Sequence, residues 1–185
     1  MNRLPIPAVE TAPAASQPLL AAVKQQLGMV PNLMKVLAHS PAGLGAYLGF
    51  SAATAGGALE AADRERIALA VAEANGCEYC LSAHTYLGRN VAKLPAGELE
   101  AARDARSADP RSQALLTFTR AVVEQRGQVD DQALQAFTAA GFGPDAVVEV
   151  VANVAINVFT NYLNNVARTT VDFPLVPART AVRAA

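Results

Sequence analysis

The chain has 185 residues, 52% of them apolar and 17% charged, and a net charge of −1. It is long enough for one domain with a substantial core. That composition excludes a disordered chain, and the near-zero charge offers no basic face for nucleic acid or an anionic membrane. Abundant alanine and scarce aromatics predict an all-α protein, and so many apolar residues among few charges predict that a partner subunit covers part of the surface.

Residues 1–16, rich in Pro, Ala and Thr, read as an extended arm, either a frayed end or a strap across a neighbouring subunit. Prolines stand where an apolar signal core would be, so a cytoplasmic setting is expected. Residues 17–170 read as a single helical domain. Its first helix, Gln17 to Gly28, carries Leu19, Leu20, Val23 and Leu27 on one stripe and stops at Gly28. A short helix holding Leu33, Met34, Val36 and Leu37 ends near Ser40-Pro41, with His39 at its end as a capping or exposed residue. Pro41 to Thr54 is glycine-rich for a helix and should pack closely on another backbone.

Glu60 to Asn75 is a well-formed helix, stopped by Asn75-Gly76, and another runs from about Glu78 to Asn90. Further helices are expected from Ala96 to Ala105, from Asp109-Pro110 to Gly127, and from Asp130-Asp131 to Ala140. The last, Asp145 to about Ala167, is long enough to span a bilayer, but Asn153, Asn157, Asn161 and Asn164 interrupt it with a polar stripe. It is therefore expected to be a central helix of the bundle, its Asn stripe either a hydrogen-bonded seam or a substrate lining. Residues 171–185, with Asp172-Phe173-Pro174 and further prolines, read as an extended tail.

The chemistry concentrates between Glu73 and His84. The two cysteines of the chain form a Cys-x-x-Cys pair, Cys77 and Cys80, and His84 follows Cys80 by four residues. Positions three and four apart share a helix face, so this is a thiol pair with a base one turn away. Cys77 falls in the first turn of the second helix, where backbone N–H groups favour a thiolate. A sulfenic acid formed on one cysteine can condense with the other, so peroxide reduction or thiol–disulfide exchange follows naturally.

Gly76 should fold the two helices into a hairpin. His84 lies eight residues after that turn and Glu65 eleven before it, roughly 12 and 16 Å away, close enough for their side chains to meet. The geometry suggests a relay Glu65–His84–Cys80, with Glu73 as a supporting group nearer Cys77 and Tyr79. The blander readings are a solvated Glu65 at the start of its helix and a pair of inert buried thiols. A metal is a further alternative, since Cys77, Cys80, His84 and Glu73 are ligand types that zinc accepts. Against it, structural zinc sites join two separated ligand pairs.

Over Arg64 to His84 the sequence resembles the carboxymuconolactone decarboxylase-like superfamily, specifically its alkylhydroperoxidase-D-like, peroxidase-related branch. Met29-Val30-Pro31-Asn32, Phe159 to Asn165 and Asp172-Phe173-Pro174 are similar to the same branch. The resemblance implies a helical bundle and a homo-oligomer, trimeric or hexameric. It implies hydroperoxide reduction without a cofactor or metal, recycled by a dithiol or thiol. It also implies that Cys80 attacks, Cys77 resolves, and His84 passes protons from Glu65. One departure is Tyr79, which stands where the hydroperoxidase often has His and can replace it only as a supporting hydrogen bonder. Two other activities fit the same residues: a redox sensor or disulfide oxidoreductase with little turnover, and a lyase acting on a small acid.

Overall fold

The computed structural model describes residues 2–179, and these form helices with no β-strand among them. The last residues of the expected tail, 180–185, lie outside the described residues. The first residues are not uniformly extended: two short 3-10 turns, Val9–Thr11 and Ala14–Ser16, lead into α1 (Gln17–Leu27). α1 ends at Gly28, whose φ of 76° is the left-handed conformation glycine allows. α2 (Asn32–Leu37) and α3 (Pro41–Ala55) follow, and the Ser40 hydroxyl accepts from Gly43 N at 3.0 Å to start α3.

The next pair is α4 (Ala61–Ala74) and α5 (Glu78–Asn90), joined by Asn75-Gly76-Cys77. Gly76 takes φ 59°, and Cys77 N donates to Ala72 O at 2.9 Å, which closes the turn. Then come α6 (Ala96–Arg103), α7 (Pro110–Glu124) capped by Asp109, α8 (Asp131–Ala139) capped by Asp130, and α9 (Pro144–Ala167).

The hub of the bundle is α4, which touches α5, α6, α7 and α9. Ile67, Leu69, Val71 and Ala72 of α4 are fully buried on different sides of the helix. One side faces a core built with α1, α2 and α5, the other a core in which Phe118, Phe137 and Phe142 stack. Burying each large apolar side chain contributes on the order of 1.5–3 kcal/mol.

As expected, α9 is a central helix: it packs against α2, α3, α4, α5 and α7 and turns its polar stripe inward. What the expectation missed is that much of its apolar face stays outside. Asn153, Asn157, Asn161 and Asn164 are all buried, while Val148, Tyr162 and Val166 stand 68%, 57% and 60% exposed. Asn161 and Asn164 find partners across the bundle, at Asn75 and Cys80, so hydrogen bonding helps to set the rotation of this helix. By length and composition alone α9 is apolar enough to cross a membrane.

Residues 170–179 cross over α5 and are fastened at several points. Asp172 accepts from Asn32 N and Tyr79 OH, Val176 N donates to the Ser82 hydroxyl, and Phe173 meets the rings of Tyr79 and Tyr86. At the far end Arg103 Nε donates to Glu73 Oε2 at 2.7 Å, Arg103 Nη2 donates to Pro177 O, and Arg179 N donates to Glu73 Oε1. Both Glu73 and Arg103 are buried. Arg103→Met takes the buried cation away from the Glu73 carboxylate and should lower stability by about 3–5 kcal/mol, moving a thermal melt down by roughly 6–20 °C. Arg179→Ala removes ion pairs on the surface and should move the melt little. Equal shifts from the two changes would show that the buried pair is not what holds this end of the strap.

Candidate functional site

The turn between α4 and α5 sets the site. Cys77 lies just outside α5 as its cap, with φ −91° and ψ 94°, and its Sγ accepts from Cys80 N at 3.3 Å. Cys80 therefore occupies the first turn of α5, where free N–H groups favour negative charge. Both cysteines carry free thiols and are buried, Cys77 at 0% exposure and Cys80 at 2%.

From α9, Asn164 Nδ2 donates to Cys80 Sγ at 3.3 Å. One turn earlier, Asn161 Oδ1 accepts from Asn75 Nδ2 at 3.0 Å, which ties α9 to the turn. Asn161 Nδ2 is buried with no partner at ordinary hydrogen-bond distance, yet it is near enough to Cys80 to favour its thiolate. These amides come from the Asn stripe, whose three-to-four spacing was the sequence signal for them.

The two thiols are pushed apart in acidity. Burial alone raises the Cys80 thiol, but the Cys77 thiol, the charge of His84 and the two asparagine amides outweigh it and draw Cys80 down to about 7. Cys77 moves strongly upward, because its proton serves as a hydrogen bond to Cys80 and because it is buried. The shared environment thus holds a proton more tightly on Cys77 than on Cys80.

His84 and Glu65 meet across the two helices, with His84 Nδ1 2.9 Å from Glu65 Oε2. Burial pulls the imidazole down, while the Glu65 charge and hydrogen bond, helped by Cys80, more than offset it and hold His84 above its ordinary value. The structure therefore brings together Cys77, Cys80, His84 and Glu65.

It takes Glu73 elsewhere. The Glu73 carboxylate lies at Arg103 and the chain end, away from the thiols, although sequence proximity to Cys77 suggested a supporting role. The zinc alternative needed Glu73 as its fourth ligand. Among the described residues no group of three His, Cys, Asp or Glu side chains is arranged to hold a metal ion. Tyr79 is also committed: its hydroxyl accepts from Leu33 N at 3.0 Å and donates to Asp172 Oδ1 at 2.8 Å. Burial, eased by Leu33 N and reinforced by Asp172, pushes this phenol well up, so it remains a neutral anchor for the strap.

A cavity of about 250 Å³ opens onto Cys80, and Cys77 is not among its lining residues. Its walls include Tyr47 of α3, Glu65 of α4, His84 of α5 and Asn157 of α9. Sequence reasoning missed Tyr47. Burial, with added repulsion from Cys80 and Glu65 and some relief from Ser51, pushes its hydroxyl up to about 12, and no motif marks it.

Residues 41–124 match the profile of the carboxymuconolactone decarboxylase family. Among solved structures, the alkylhydroperoxidase AhpD core of an uncharacterized peroxidase-related protein from Ralstonia eutropha JMP134 is 26% identical, with a TM-score of 0.83 over 92% of each chain. A peroxidase-related protein from Silicibacter sp. TM1040 is 22% identical, with a TM-score of 0.80 over 91% of each chain. The debrominase Bmp8 shares the fold at 20% identity, with a TM-score of 0.71 over 86% of this chain and 87% of that one. A search of the curated proteins finds no significant match. Over residues 41–124 the chain is thus similar to the carboxymuconolactone decarboxylase family, and over most of its length it shares the all-helical fold of the peroxidase-related, alkylhydroperoxidase-D-like structures.

The α9 amides generate a pH prediction. A donor to the thiolate lowers the thiol pKa, so removing it raises the pKa. Asn164→Ala should move the midpoint of Cys80 alkylation by iodoacetamide upward by up to about one pH unit, the equivalent of ~1.4 kcal/mol. An unmoved midpoint would mean that Asn164 only packs against the sulfur.

Proposed function

We propose that the protein reduces organic hydroperoxides with the Cys77/Cys80 pair, with Glu65 and His84 handling the proton. The observation that carries this reading is the split acidity of two adjacent thiols, with the more acidic one, Cys80, facing the cavity. The Cys80 thiolate attacks the terminal oxygen of R–O–O–H and the O–O bond breaks. Cys80 becomes a sulfenic acid, and the alkoxide leaves as R–OH after taking a proton. His84, kept protonated by Glu65, is the donor within reach of the cavity. The Cys77 thiol then attacks the sulfenic sulfur, releasing water and forming the disulfide, and an external dithiol returns both cysteines to thiols.

No cofactor or metal enters these steps, and we place them in a reducing cytoplasm where such a dithiol is maintained. The exposed apolar stripe of Val148, Phe159, Tyr162 and Val166 on α9 supports assembly into a homo-oligomer. We divide the chain into an N-terminal arm over residues 1–16, one helical domain over residues 17–170, and a C-terminal strap.

Turnover of cumene hydroperoxide with a dithiol tests the reading. Cys80→Ser should abolish it. Cys77→Ser should form the sulfenic acid once, trappable by dimedone, without sustained turnover. A redox sensor would instead oxidise stoichiometrically in the unaltered protein and stop, and a lyase would survive loss of both thiols.

The relay has its own test. Glu65→Gln removes the charge that raises His84, so less imidazolium faces Cys80 at neutral pH and its thiolate is less favoured. Alkylation of Cys80 at pH 7 should slow severalfold, with the pH–rate curve displaced to higher pH. A curve that stays in place assigns Glu65 to structure alone.

A further inference from the structure

The cavity has two ends, and the second carries chemistry that peroxide reduction by itself does not need. α4 lines it with Arg64, Glu65 and Ala68, α3 with Tyr47, Ser51 and Thr54, and α9 with Asn153, Asn157 and Thr160. The register of these helices is set at both ends. Asn164 touches Cys80, so the later turns of α9 mark the thiol end. Glu149, in the first turns of α9, accepts from Ala58 N and Leu59 N just before α4, so Asn153 and Arg64 mark the opposite end. At ~1.5 Å per residue, Arg64 lies about 6 Å along α4 from Ala68, and Asn153 about 10 Å along α9 from Thr160.

Charge distinguishes that far end. Glu65 is occupied by His84, and Asp63 by Arg66 and Arg111. Glu149 spends both oxygens on backbone N–H groups. Among the described residues the Arg64 guanidinium donates to the Leu59 carbonyl, which orients it without neutralising it. Among the described residues no carboxylate lies within ion-pair distance of it. Among the described residues, the cavity wall therefore holds a half-buried cation without an ion pair, and Ser51 and Thr54 line the same cavity. A guanidinium is built to bind a planar carboxylate through two hydrogen bonds.

We infer that Arg64 forms an anion subsite, and that the substrate is an organic hydroperoxide bearing a carboxylate about 6–10 Å from its peroxy group. This rests on the hydroperoxide reading for the class of substrate, while the anion subsite stands on the cavity alone. Binding the carboxylate at Arg64 lays the molecule along the cavity and delivers the O–O bond to Cys80 Sγ. A cavity of about 250 Å³ suits one ring or a short chain between the two groups.

The test compares cumene hydroperoxide with its para-carboxylate, 4-(2-hydroperoxypropan-2-yl)benzoate. The unaltered protein should show a kcat/KM ratio favouring the carboxylate by about tenfold or more, decreasing as salt is raised. Arg64→Gln should bring that ratio down at least tenfold, and Arg64→Lys, which keeps the charge but loses the fork, should retain part of it. Equal ratios in the unaltered protein and Arg64→Gln overturn the inference.

A second measurement needs no turnover. 4-Isopropylbenzoate, which carries the anion but no peroxide, should protect Cys80 from iodoacetamide in the unaltered protein and in Arg64→Lys, but not in Arg64→Gln. If neither hydroperoxide is consumed, the peroxidase reading fails and the protection result alone decides the subsite. Protection that does not depend on Arg64, or no protection at all, removes it.

Discussion

Two thiols buried within one helical turn cannot both ionise, and the surroundings decide which one does. Cys77 caps α5, receives the Cys80 N–H, and keeps its proton. Cys80 lies at the helix start, receives the Asn164 amide, and faces the charge of His84. Desolvation works against any thiolate here, so the acidity of Cys80 depends on every one of these donors being in place. Much of the architecture serves that requirement: the α4–α5 turn sets the two sulfurs, α4 brings Glu65 to His84, and α9 brings the amides.

This explains why α9 is rotated against the usual rule. A helix with an apolar circumference and one polar stripe would ordinarily bury the apolar part and show the stripe to water. Here the stripe lies inside, with Asn153 and Asn157 on the cavity, Asn161 on the turn and Asn164 on the sulfur. The displaced apolar residues, Val148, Tyr162 and Val166 among them, are left on the outside. Burying four amides is tolerable because each has a partner for at least one polar atom, a backbone carbonyl of its own helix in the case of Asn153 and Asn157.

The strap over residues 170–179 is the second support. It holds α5 from outside through Tyr79, Ser82 and Phe173, and it is anchored by the buried Glu73–Arg103 pair. Tyr79 stands between the two cysteines in sequence, yet its hydroxyl points to Asp172 and Leu33 N. It fixes the first turn of α5. The orientation of the cysteine helix thus depends on residues some ninety positions later in the chain.

The Cys-x-x-Cys-x-x-x-His spacing, the stop at Asn75-Gly76 and the placement of Glu65 are local or nearly local, and helix geometry turns them into a shared face and a contact across a turn. That is why the all-α class, most helix limits and the meeting of Glu65 with His84 were legible in the sequence. Glu73 was misleading for the same reason. It is close to Cys77 along the chain, but its angular position on α4 faces Arg103, and only the packing of α6 and the chain end reveals that partner. Tyr47, Arg64 and the direction of the Asn stripe were likewise undetermined, because each depends on how α3, α4 and α9 are rotated about their own axes. The sequence by itself determined the reactive groups and their spacing along one helix. The tertiary structure decided which thiol is acidic, which wall it faces and which cation stands opposite, because burial and long-range contacts set those properties.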